Sequence, residues 1–216
     1  MNFLEIPFIK KYSFTALLVV HFFGVIGIFS PFREWFLSLT FLNLLLSLTL
    51  LVFNSGKIES SLLIYLLTAF FIGFFSEVIG VNTSMLFGNY YYGENLGYKI
   101  VGVPLIIGIN WAMLSYASGI LVQQYIKPLI TRILIAATLM VLLDLLIEPV
   151  APIIDFWHFK GGLPGLRNYT DWFFIALLLQ LILAKIVPYK TNKLAGPLLA
   201  LQAVFFGILF FFKSSL

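Results

Sequence analysis

The residues of this chain best placed to do chemistry are carboxylic acids set inside apolar runs. Glu77 interrupts Phe70-Phe-Ile-Gly-Phe-Phe-Ser-Glu-Val-Ile-Gly80, and Asp144 and Glu148 close Leu139-Met-Val-Leu-Leu-Asp-Leu-Leu-Ile-Glu-Pro149. A carboxyl withdrawn from water can hold and deliver a proton, which makes Glu77 a candidate proton donor. Asp144 and Glu148 are four residues apart, hence on one face of a helix that persists to its end. Two acids so close repel, so one tends to keep a proton, or the two together take a cation. The plainer reading is structural: Glu77 as a neutral or Arg-paired carboxyl joining helices, Asp144 and Glu148 each paired with a base such as Arg167. Glu77 continues the stripe Ala69, Gly73, Gly80 at helical spacing; small residues let a neighbouring helix approach, so Glu77 is expected to point into a bundle.

Aromatic residues crowd the segments that follow these acids. Phe87, Tyr90, Tyr91, Tyr92 and Tyr98 fill one, and Trp157, His158, Phe159, Tyr169 and Trp172 fill or border the other. Aromatics at a membrane interface are usually anchors. Their density here exceeds a simple belt, and aromatic faces beside acids suit an apolar substrate that passes through a carbocation. Gly88, Gly93 and Gly97 allow sharp turns or close approach to a ligand. His21 could relay protons, but a single intramembrane histidine more often hydrogen-bonds a neighbouring helix.

The elements that must position these residues are membrane helices. Of 216 residues 61% are hydrophobic and 10% charged, against roughly 25% charged in a soluble domain. Seven segments are long enough, or nearly so, to cross about 30 Å of hydrocarbon: Phe14 to Phe32, Trp35 to Phe53, Ser61 to Gly80, Val103 to Tyr125, Leu129 to Glu148, Trp172 to Pro188 and Leu194 to Phe212. The reading is an all-α integral membrane protein, one transmembrane domain over residues 1–216, built as a bundle of about seven helices. The first apolar run leads into Ser30-Pro-Phe-Arg33 rather than the small residues of a cleavage site, and reads as a retained helix. The fifth span carries Arg132 near its start and Asp144 within it; Arg can reach the headgroups, but the Asp must face protein or water.

Alternating crossings put Lys10, Lys11, Lys57, Lys127, Arg132, Lys185, Lys190 and Lys193 on the side of the N terminus, and Arg33, Lys99, Lys160, Arg167 and Lys213 on the other. The excess favours a cytoplasmic N terminus in the cell membrane. The two long connections, 81–102 and 149–171, fall together on the opposite side and are expected to cover a site. The crossings also turn position into depth: Glu77, Asn110, Asp144, Glu148, Asn168 and Asp171 all map to the same half of the membrane. A charge within a span costs at least about 2.5–3.5 kcal/mol at the centre, so such residues are usually kept for a pathway, a partner or catalysis.

Several function classes fall away on composition. The chain has no cysteine and two histidines, which excludes disulfides and thiolate metal sites and leaves little for an all-protein zinc cage. The net charge of +4 is spread singly or in pairs between apolar runs, as at helix ends, which gives no nucleic-acid footprint. A retinal photoreceptor needs a lysine deep in the last span, and Leu194 to Phe212 has none. A membrane prenyltransferase would hold diphosphate through magnesium on acidic pairs; Asp144 and Glu148 imitate half of such a site. A proton-coupled carrier or lipid-binding protein could use the same carboxylates as a relay.

A family resemblance narrows the choice. The run Glu77-Val-Ile-Gly-Val-Asn-Thr83, then Phe87-Gly-Asn-Tyr-Tyr-Tyr92, Leu96-Gly97, Gly102-Val-Pro-Leu105 and Trp111, closely resembles the membrane carotenoid-biosynthesis family that includes CruF-type carotenoid 1,2-hydratases. Asp144-Leu-Leu-Ile-Glu-Pro-Val-Ala151 with Trp157, Pro164, Asn168 and Trp172 adds a second block, so that the likeness covers Phe71 to Phe174. The chain departs from the family pattern at Thr83-Ser84, at His158-Phe159 and at Asp171, changes that bear on end-group preference and leave the acidic positions untouched.

The resemblance implies hydration of the terminal double bond of an acyclic, ψ-type carotenoid end group to a tertiary alcohol, with no redox cofactor and no metal. A protonated carboxyl would donate to C2, leaving a tertiary cation at C1 for water to capture. On that reading Glu77 and Asp144 are the leading acid and base candidates, in either order, and Glu148 and Asp155 are neighbours that tune or replace them. Asn110 and Asn168 position water, and Phe87, Tyr90, Tyr92, Trp111, Trp157 and Trp172 surround a carotenoid or other isoprenoid substrate drawn from the bilayer.

Overall fold

Inside lipid every backbone N–H and C=O must find a partner within the chain, and the apolar runs meet that demand as helices. In the computed structural model, which describes residues 7–215, these are α1 Pro7–Ile28, α2 Arg33–Ser38, α3 Thr40–Phe53, α4 Ser60–Thr83, α5 Leu105–Gln123, α6 Leu129–Ile147, α7 Leu166–Ile186 and α8 Ala195–Phe211. Among the described residues six segments, counting Arg33–Phe53 as one, are long and apolar enough to cross a membrane. Helix α8 is shorter, at 17 residues or about 26 Å. The chain is a multi-pass, all-α membrane bundle.

The boundaries depart from the hydropathy reading where polar chemistry overrides it. The second span is two helices, with the chain turning at Leu39; α2 lies against α1, where the Phe36 ring fills the space a Cβ on Gly27 would need. Helix α1 already runs from Pro7, the first described residue, rather than from Phe14. Helix α4 continues past Gly80 to Thr83 and stops at Ser84, whose backbone is left-handed (φ 56°). The largest correction is α7, which begins at Leu166 and not at Trp172. Its first turns are polar, and loop contacts stabilise them: Arg167 donates to the Met85 carbonyl, and Asp171 accepts the Phe87 backbone N–H at 2.8 Å.

Helix α5 is the centre of the bundle. It is buried along nearly its whole length and packs against α3, α4, α6, α7 and α8. Its contact with α4 is close because Gly73 has no side chain: a Cβ there would overlap the Trp111 ring. The expected stripe Ala69, Gly73, Glu77 and Gly80 is buried throughout. Polar groups inside the bundle pair across helices, as Tyr65 does with Ser115 (2.8 Å) and Gln180 with the Ser115 carbonyl (2.8 Å).

The two long connections are joined by backbone pairing that the hydropathy reading did not anticipate. Strand β1, Tyr90–Tyr92, runs antiparallel to β4, Trp157–Phe159, with Tyr90 opposite Phe159 and Tyr92 opposite Trp157. Between them β2, Lys99–Ile100, pairs with β3, Val103–Pro104. Side chains alternate across a strand, so Tyr90 and Tyr92 are buried while Tyr91 is half exposed.

Candidate functional site

Helix α4 brings Glu77 to the end of the bundle beneath this strand pair, and the alternation of β1 aims two phenols at it. Tyr92 donates to Glu77 Oε2 at 2.7 Å, Tyr90 donates to the same oxygen, and the Trp111 indole N–H on α5 donates to Oε1 at 3.0 Å. Burial, and then the neighbouring Glu77 carboxyl, push both phenols above their ordinary range, so they remain protonated donors. All three partners of Glu77 therefore offer hydrogens, an arrangement that the carboxylate form satisfies completely.

The second pair of acids is wired differently. Asp144 lies on α6, and Glu148 caps its C-terminal end. One amide group, Asn168 Nδ2 from the first turn of α7, reaches both, at 3.2 Å from Asp144 Oδ2 and 2.9 Å from Glu148 Oε1. The Trp157 indole donates to Glu148 Oε2 at 3.1 Å. Both acids are buried. Among the described residues the hydrogen-bond partners of the three acids are neutral side chains, and Arg167 bonds the Met85 carbonyl and stands 3.6 Å from Asp171 instead. Pairing of Asp144 or Glu148 with Arg167 is thus not what the fold builds.

These side chains line one cavity with about 480 Å³ of empty space, part of it open to the surroundings. Of the residues expected at a site, Glu77, Asp144, Glu148, Phe87, Tyr90, Tyr92, Asn110, Trp157, Asn168 and Trp172 line it. Trp111 stands behind the wall, stacked on Trp172 with ring centroids 3.8 Å apart, and contributes through its bond to Glu77. Phe87 completes an aromatic cluster, 6.3 Å from Trp172 and 6.2 Å from Tyr90; its backbone is left-handed (φ 62°) and tied to Asp171. Asp171 does not line the cavity but fixes the loop that does.

Asp155 is the expected site acid that does not line the cavity. Its carboxylate accepts the Glu94 backbone N–H at 2.8 Å and contacts His158 Nε2 at 2.8 Å, so it staples the two connections together. Partial burial pushes its carboxyl up, but the Glu94 N–H, His158 and Lys99 outweigh that and hold it below its ordinary value. His21 also differs from expectation: its Nδ1 bonds the Leu17 carbonyl at 2.8 Å, one turn back on its own helix rather than on a neighbour.

Four further residues line the cavity: Ile107, Leu114, Ile147 and Phe159. Spacing alone could have found them. Ile107 and Leu114 share the α5 face of Asn110, Ile147 is one turn from Asp144, and Phe159 is two residues beyond Trp157 on β4. Among the described residues no group of three or more His, Cys, Asp and Glu side chains is arranged to hold a metal ion.

A family model described as carotenoid biosynthesis protein matches residues 13–216. No curated protein and no solved structure matches the chain.

Proposed function

The chain belongs to the family of carotenoid biosynthesis proteins, and we propose that it hydrates the terminal C1=C2 double bond of an acyclic ψ-type carotenoid end group, as a hydro-lyase needing no redox cofactor. One observation carries this reading: three carboxyls and a cluster of aromatic rings converge on a single cavity in an otherwise apolar bundle. Proton-driven addition of water needs an acid, a base and a means of stabilising a cation away from bulk water, and this constellation supplies each.

In the proposed reaction the protonated member of the Asp144–Glu148 pair, here taken as Asp144, donates to C2. The C1=C2 electron pair forms the new C–H bond and leaves a tertiary cation at C1. The Glu77 carboxylate, held by Tyr90, Tyr92 and Trp111, and the faces of Phe87 and Trp172 stabilise that cation. Water held by Asn110 attacks C1 and gives its proton to Glu148, which starts as the carboxylate. Proton exchange between Glu148 and Asp144, both on Asn168 Nδ2, restores the pair. The net change is the addition of one water. The strand-paired connections cover the chamber and exclude bulk solvent from the cation, and the carotenoid arrives from the bilayer. The basic residues of 10–11, 57, 127–132 and 185–193 support a cytoplasmic N terminus in the cell membrane, with the chamber near the outer face.

Expression in carotenoid-producing cells tests the reading by mass. A pigment heavier by one water is expected, and an unchanged pigment pool in the presence of folded protein refutes it.

A further inference from the structure

The acid chamber shares wall residues with a larger space, which shares others with a third. Ile107, Asn110, Leu114, Ile147 and Trp157 form part of its wall and also part of the wall of a second bay of about 690 Å³. That bay is mainly apolar, framed by Leu96, Leu143, Phe156 and Phe206, with a polar edge of His21, Asn43 and Gln202. Gln202 is 5% exposed and its Oε1 has no hydrogen-bond partner among the described residues. Buried acceptors are normally paired, so this one points to an occupant or an ordered water in the bay.

The bay in turn shares Ile28, Thr40, Asn43 and Phe205 with a cleft of about 900 Å³ between α1 and α3. The cleft opens on the outer surface of α1 and α3, the surface that lipid would cover around a spanning bundle. Its rim residues Phe23 and Leu42 are 53% and 56% exposed, and Gly24 leaves room beside the Phe205 ring, which a Cβ would approach to 3.3 Å.

We propose that the cleft between α1 and α3 is a lateral portal for a long polyene. The chain passes from the bilayer past Thr40 and Phe205, its shaft rests in the apolar bay, and only its end group reaches the acids. Which end reacts, and how, rests on the hydration reading; binding along this path does not. The occupant is argued from the path itself. It begins in lipid, is apolar along its length, and ends in a chamber too small for more than the tip of a long chain. A water-soluble substrate would have no reason to meet a cleft opening into hydrocarbon.

The chain has no cysteine, so single substitutions report without background. Thr40→Cys places a thiol where bay and cleft meet, and Ser38→Cys places one two residues away on the exposed end of α2. The full-length variants are reconstituted in phosphatidylcholine nanodiscs with lycopene as probe and treated with N-ethylmaleimide. With nine-tenths of the sites filled, lycopene is expected to slow labelling of Thr40→Cys about tenfold and leave Ser38→Cys unchanged. Prior alkylation of Thr40→Cys with a bulky maleimide should abolish the induced circular dichroism of the polyene band, while alkylated Ser38→Cys keeps it. Equal labelling of Thr40→Cys with and without bound lycopene, or normal binding after the block, overturns the portal. Protection at Thr40→Cys without any gain of water leaves the portal standing and removes the hydration reading. Hydration at the wild-type rate by the blocked protein does the reverse.

Discussion

Glu77→Gln is the sharpest test of the division of labour among the acids. Glu77 accepts from Tyr90, Tyr92 and Trp111. An indole N–H cannot accept, so the glutamine must turn its oxygen toward Trp111 and its NH₂ toward the two phenols. The hydroxyls can rotate to receive it, so the network survives with neutral bonds of about 0.5–1.5 kcal/mol replacing charge-assisted ones of about 1.5–3. The expected loss of stability is thus modest, about 1–3 kcal/mol, and the variant should fold. On the proposed hydration the loss at the transition state is larger, because the negative charge facing the cation is gone. Removal of one preorganised electrostatic group typically costs 10²–10³ in kcat, about 2.7–4 kcal/mol. The assay is conversion of an acyclic polyene in reconstituted vesicles, followed by chromatography and mass, with kcat and KM measured separately and folding checked by thermal unfolding. A fall in kcat of about two to three orders at near-constant KM is expected, since the interaction belongs to the transition state. A folded Glu77→Gln protein that turns over within a few-fold of wild type would remove Glu77 from the mechanism.

Four other outcomes follow from the same geometry. Asp144→Asn and Glu148→Gln should each reduce kcat by about 10²–10⁴, and the double variant should be little worse than the less active single, because in the proposed reaction the two, both accepting from Asn168, share one proton cycle; multiplicative losses would argue for separate roles. Gly73→Ala should cost about 1–3 kcal/mol in thermal unfolding, since the added Cβ overlaps the Trp111 ring, and unchanged stability would show that α4 and α5 can part. Because the Asp155 carboxyl lies below its ordinary value when folded, its hold on the Glu94 amide should be complete above the unfolded value of 3.8 and be lost as pH falls through the folded one; the protection of the Glu94 amide relative to its intrinsic exchange rate should fall on that acid side, and Asp155→Asn should abolish that change in protection. In intact cells a membrane-impermeant maleimide should label Leu163→Cys and spare Lys57→Cys, and the reverse pattern would invert the proposed orientation.

Much of the bundle was legible because hydrocarbon enforces a simple rule: a run of apolar residues must be a helix, and counting runs gives depth. Depth alone gathered Glu77, Asn110, Asp144, Glu148, Asn168 and Asp171, and all but Asp171 line the same cavity. Where polar partners compete with hydropathy, the rule failed. Helix α7 begins at Leu166 because Arg167 and Asp171 find the Met85 carbonyl and the Phe87 N–H in the other connection, contacts some 80 positions away that no local pattern displays. Asp155 looked like a fourth site acid by sequence proximity to Glu148. A left-handed turn (φ 53°) at Asp155 leaves it outside the cavity, with its carboxylate on the Glu94 N–H.

The strand pair β1–β4 joins the two connections in which both departures lie. Neither connection can place its aromatic residues by itself. Pairing Tyr90 with Phe159 and Tyr92 with Trp157 fixes the register, and a slip of one residue would turn Tyr91 inward and carry both phenols away from Glu77. The same pairing sets Trp157 on Glu148 at 3.1 Å. A single short ladder therefore positions donors for Glu77 on one side and for Glu148 on the other, while Asp155 and its bonds to Glu94 and His158 clamp its end. On this argument a change that breaks the clamp acts on catalysis through the positions of both acids at once, lowering turnover without touching any group that meets the substrate.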